Sequence, residues 1–150
     1  MRTYPLMLNL RGRRVVVVGA GAVGARKARD RASAGAKVTV VSQAAPAEPP
    51  PEGVELAGEA YRPELLDGAA LVFACTDDPG LNARIAADAR ARGALVNAAD
   101  QPDDCDFFVP ATAGEGDVVV AVGTGGASPA LAGRLARRLA GALPEQVGAY

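Results

Sequence analysis

"RRVVVVGAGAVG", residues 13–24, holds the reading on which the fold turns. Val15–Val18 form an unbroken apolar run of strand length. Without polar alternation, such a run marks a strand buried on both faces, as in a parallel sheet covered by helices. Gly19, Gly21 and Gly24 follow at G-x-G-x-x-G spacing. Gly19 permits the tight turn out of the strand, Gly21 lets a pyrophosphate approach the backbone, and Gly24 lets the next helix pack closely. The amides at Ala22 and Val23 then stand at the positive end of that helix, where phosphate binds well. The alternative is a glycine-rich packing turn that holds no ligand.

Working outward, residues 22–34 read as a helix ending near Gly35, and "KVTVV" at 37–41 as a second strand, completing a βαβ unit. The helix offers Ala25, Ala28 and Ala32 to the sheet, with Asp30 and Arg31 close by, so it buries little apolar area. Arg26 and Lys27 read as a solvated face. "SQAAPAEPPPEG" at 42–53 is an extended, mobile loop with four prolines. Strands are expected at 54–57, 70–75 and 94–99. A helix from Asp78 (N-cap) and Pro79 (N1) runs to about Arg92.

The pattern then changes. "DFFVPAT" and "DVVVAVGT" flank "AGEG" as an antiparallel hairpin, and Ser128 caps a helix reaching to about Leu143. Leu131, Leu135, Leu139 and Leu143 recur at core or interface spacing. The expected class is α/β, a Rossmann-like parallel sheet with helices on both faces over 1–106. A hairpin–helix dimerisation region follows over 107–150.

Composition excludes several classes. Sixteen Lys and Arg against seventeen Asp and Glu give a net charge of −1, which offers no footprint for nucleic acid or an anionic membrane. Two cysteines, Cys75 and Cys105, read as reduced thiols. No run nears the ~18 apolar residues of a membrane span, and Pro5 and Asn9 break the N-terminal stretch where a signal peptide would need continuity. A cytoplasmic protein is expected.

Cofactor choice rests on residues 41–43, Val-Ser-Gln, where an acid would bind the ribose diol of NAD. Ser42 takes that place, Glu48 lies further into the loop, and no Arg or Lys stands between 42 and 53 to receive a 2′-phosphate. NAD is favoured over NADP.

"VNAADQPDDCDFF", residues 96–108, packs Asp100, Asp103, Asp104 and Asp106 together. The chain has no histidine, and the acids lack the spacing of a calcium loop, so a metal cage is not expected. Asp100 ends a central parallel strand, where open α/β sheets place their ligands. The other three read as solvated turn residues.

These stretches, with "FACTDDPGLNARIA" and "GTGGASPALAGRLARRL", resemble precorrin-2 dehydrogenase, also the N-terminal module of sirohaem synthase, in order and spacing over almost the whole chain. The resemblance implies NAD-dependent oxidation of precorrin-2 to sirohydrochlorin by a homodimer, with Fe²⁺ insertion in some members. It implies that Asp100 serves dehydrogenation, and serves metal insertion where that occurs. Gly19, Gly21 and Gly24 match the cofactor turn, and Thr76, Asp77 and Asp78 match a segment lining the site. Asn97, Thr124, Gly125, Gly126 and Ser128 match segments near the substrate. Two departures stand out: "RDRAS" in the first helix where many members carry leucines, and an end at Tyr150 where the family continues into a helical region. Two other readings compete: an NAD(H)-sensing module, which needs the glycine turn but not Asp100, and a non-catalytic dimerisation unit of a larger enzyme.

Overall fold

Parallel pairing of β1 (Arg14–Val18) with β2 (Lys37–Val41) on one side and β4 (Leu71–Ala74) on the other puts the valine run at the centre of the sheet. This computed structural model describes residues 3–46, 49–115, 118–125 and 127–142. Glu48, Gly126 and Leu143 lie outside the described residues. With β3 (Val54–Ala57) and β5 (Leu95–Ala98), the five strands run in the order β3-β2-β1-β4-β5, all parallel. Strand order therefore reverses between β1 and β4, and the crevice at their carboxyl ends is where such sheets hold ligands.

Helix α1 (Ala22–Ser33) packs on one face with Val15, Val17, Val38, Val40 and Phe73. Helix α2 (Pro79–Ala91) packs on the other, where Ile85, Ala86 and Ala89 are fully buried against Val16, Val72 and Val96. Burial of Ile85 or of each of these valines stabilises the fold by roughly 1.5–3 kcal/mol, and each alanine by less. Asp78 caps α2 as expected, accepting from the amides of Gly80 and Leu81 at 2.8 and 3.1 Å.

The chain divides into two compact units, Met7–Phe107 and a second that joins Met1–Leu6 to Phe108–Tyr150. In the second, β6 (Ala111–Glu115) pairs antiparallel with β7 (Val118–Val122), and α3 (Pro129–Ala140) packs on both. Strand β6 extends through the Ala-Gly-Glu expected to form the turn. Ala132 and Ala136 supply the buried stripe of α3, while Leu131, Leu135 and Leu139 face outward, Leu139 at 52% exposure. Among the described residues no helix is long and apolar enough to cross a membrane.

Candidate active site

Three features of the Met7–Phe107 unit meet at the carboxyl ends of β1, β4 and β5: the glycine turn, the Thr76–Asp78 segment and the loop bearing Asp100. Gly19 adopts φ +109, and a Cβ there would run into the backbone carbonyl of Cys75. A Cβ on Gly24 would strike the Gly19 carbonyl. Both glycines are therefore required by close backbone packing. Gly21 differs, since a Cβ there meets nothing within 4 Å.

Gly21 is also the N-cap of α1 and has no side chain to cap it, and no acid occupies the first turn. The first helical amides, Ala22 and Val23 among them, have no intrahelical acceptor, and both residues are exposed. Open space over Gly21 beside uncapped donors at a positive helix end fits a dinucleotide pyrophosphate. These are the residues that would hold it.

The Thr76 segment is fixed from an unexpected direction. Asn82, on α2 and only 3% exposed, accepts from the Thr76 amide (3.1 Å) and hydroxyl (2.7 Å) and donates to the Thr76 carbonyl (3.0 Å). Its sequence signal was a polar residue on the stripe Asn82, Ile85, Ala86, Ala89, which is otherwise apolar. Asp77 is exposed beside it. Ser42, at the end of β2, donates from its hydroxyl to the Ala44 carbonyl at 3.1 Å.

Asp100 is exposed and is the one non-glycine among the described residues with a left-handed backbone, φ +58. Such a conformation costs on the order of 1–3 kcal/mol and persists where surrounding structure fixes it. The fixing comes from Cys105 and Asp106. The Cys105 thiol accepts from the Ala98 amide at 3.3 Å and lies 3.2 and 3.3 Å from the Ala98 and Gln101 carbonyls. Asp106 donates its amide to the Val96 carbonyl (2.8 Å), and its carboxylate accepts from the Val96 amide (3.0 Å) and Arg90 Nε (2.8 Å). Asp106 is exposed, as the sequence suggested, but it is tied to β5 and Arg90 rather than free in a turn. Pro102–Asp104 do form a short 3-10 turn. Among the described residues no three Asp, Glu, Cys or His side chains converge as a metal site.

Lys27 and Asn97 also depart from expectation. Lys27 does not sit on a solvated face; it is half-buried, 4.9 Å from the Phe73 ring centre, and donates to Asn97 Oδ1 at 2.8 Å. Burial lowers its pKa, and Arg31 and Arg26 add to that effect. Arg31, 8% exposed, lies 4.6 Å from the same ring. Asn97, matched above to substrate, is 7% exposed and turned inward, donating from Nδ2 to the Phe107 carbonyl at 3.0 Å. Burial pushes the Cys75 thiol up to about 11, Asp100 adds a lesser push in the same direction, and Lys27 and Arg31 oppose it. Burial likewise raises Cys105. Both thiols are free.

Thr124, Gly125 and Ser128 belong to the second unit. There Ser128 caps α3 by accepting from Leu131 N at 3.2 Å, and its own amide donates to the Thr124 hydroxyl at 3.2 Å. Gly125 takes φ +62.

Residues 6–111 match the family NAD_binding_7, whose description reads "Putative NAD(P)-binding". The chain belongs to that NAD(P)-binding family. Curated relatives matching this family member include siroheme synthases of Azotobacter vinelandii, 42% identical over 152 residues, and Chromobacterium violaceum, 42% over 156. The alignments cover 99% of the chain but 33% and 32% of those proteins, so the chain spans about a third of their length. Among solved structures it is similar to SirC, a precorrin-2 dehydrogenase, with a TM-score of 0.79 and 28% identity over 97% of this chain and 74% of that one.

Proposed function

We propose that this chain is an NAD-dependent dehydrogenase that converts precorrin-2 to sirohydrochlorin in sirohaem biosynthesis. The observation that carries the reading is Asp100: an exposed carboxylate held in a left-handed backbone, at the strand ends beside the glycine turn. The likeness to a precorrin-2 dehydrogenase over 97% of the chain supports the choice of substrate. Ser42 after β2, with no Arg or Lys in the sequence between 42 and 53, supports NAD over NADP.

The reaction removes one hydride and one proton from the reduced tetrapyrrole and leaves one new double bond. Bound NAD⁺ supplies the hydride acceptor. The amides beyond Gly21 would hold the pyrophosphate, and Asn82 fixes the Thr76 segment at the same strand ends. Asp100 receives the proton, a role worth roughly 10²–10⁴-fold in rate for a well-placed general base.

Anaerobic mixing with precorrin-2 and NAD⁺ tests this directly. NADH and sirohydrochlorin should form together, and Asp100→Asn should lower turnover by about 100-fold or more while NAD⁺ affinity holds. NAD⁺ binding without any turnover would favour the sensing module instead. Adding Fe²⁺ to the same mixture reads metal insertion. We also infer a homodimer built on the outward leucines of α3, and a cytoplasmic location. Sedimentation of the chain should report twice the monomer mass.

A further inference from the structure

A half-buried ammonium without a carboxylate partner is costly, because desolvation is left uncompensated. Among the described residues Lys27 is such a group: the charged and titratable groups that act on it are Arg26, Arg31 and the two thiols, with no acid among them. Its ammonium donates a hydrogen bond to a neutral amide, Asn97 Oδ1. The orientation of that amide is consequential. With Oδ1 turned to the ammonium, Nδ2 faces the Phe107 carbonyl (3.0 Å) and Cys105 Sγ (3.5 Å); flipped, it would set N–H against ammonium and oxygen against carbonyl. Cys105 in turn bridges Ala98 and Gln101, the residues on either side of the Ala99–Asp100 pair.

We propose that Lys27 is a positioning residue for Asp100, acting through Asn97 and Cys105 to hold the loop after β5 against the helix that follows the glycine turn. The inference rests on the dehydrogenase reading for its kinetic consequence and on geometry alone for its structural one. The cation fixes one amide, the amide orients the thiol and the Phe107 carbonyl, and the thiol closes the turn that places the carboxylate. Small displacements of a reacting group are expensive, about 100-fold for roughly 1 Å.

A double-mutant cycle is the test. Lys27→Met should lower kcat by roughly 10- to 100-fold while KM and the NAD⁺ Kd move less than about threefold. In an Asp100→Asn background the same change should cost less than about threefold, because there is no longer a carboxylate to misplace. A merely structural lysine would cost the same factor in both backgrounds, and that additivity would overturn the proposal. Should Lys27→Met fail to fold, Cys105→Ala removes the middle of the chain and runs through the same cycle with the same expectation.

Amide hydrogen exchange supplies a readout that needs no turnover. Exchange in 96–107 should quicken in Lys27→Met while 37–41 keeps its protection; unchanged exchange in 96–107 would also overturn the proposal. If the unaltered chain shows no turnover yet exchange responds as expected, the dehydrogenase reading falls and the positional link stands.

Discussion

The two faces of one sheet are covered in different ways. On the α2 face, Ile85, Ala86 and Ala89 close an aliphatic core with Leu66 and Val96, all fully buried. On the α1 face, small residues bring the helix close, and two cations, Lys27 and Arg31, lie over Phe73. Phe107 meets the same ring edge-on, with centroids 5.5 Å apart. Sheet, strands and register are shared, so the difference lies in what each helix brings. One face is closed by aliphatic side chains; the other also holds two cations, at some cost in stability.

Gly24→Ala should break the α1 face most severely. Its Cβ collides with the Gly19 carbonyl, a backbone atom that cannot step aside without moving the turn. A loss of about 3 kcal/mol or failure to fold is expected in denaturant titration, at or above the usual overpacking range. Gly21→Ala, with open space around it, should change stability by less than about 0.5 kcal/mol while weakening NAD⁺ binding.

The α2 face should respond next. Ile85→Ala removes a fully buried side chain and should cost roughly 2–5 kcal/mol, with NAD⁺ affinity unchanged in the folded fraction. Equal damage to cofactor binding would show that the faces are not divided as described.

The smallest effect is expected at Arg31. Its contact with exposed Asp30 is long, 3.4 Å, and its stacking on Phe73 offsets only part of the desolvation. Arg31→Met keeps the length and should shift stability by less than about 1 kcal/mol, neutral or upward. A loss near 3 kcal/mol would mean that the guanidinium is integral to the α1 face.

The asymmetry also explains what could be read beforehand. Val15–Val18, the glycine spacing, Asp78-Pro79 and Ser128-Pro129 are local signals, and the elements they start lie where the sequence puts them. Arg31 was readable in part: Gly24, Ala28 and Arg31 fall on one buried stripe of α1. Lys27 was not, because only the tertiary position of Phe73 and Asn97 turns a surface-looking lysine inward. The roles of Cys105 and Asp106 depend on the chain doubling back beside β5, which no spacing announces. The described residues before Met7 likewise belong to the second unit, far from it in sequence.

That doubling back has a consequence for self-association. β5 ends the sheet, and its outward-facing backbone groups belong to Val96 and Ala98. An open row of this kind templates pairing with another chain. Here one carboxylate, one amide and one thiol take the place of a sixth strand, meeting the N–H and C=O of both residues. Oxidation or alkylation of Cys105 would therefore do more than disturb a turn. It would uncover half of a sticky border and leave the molecule open to edge-to-edge aggregation.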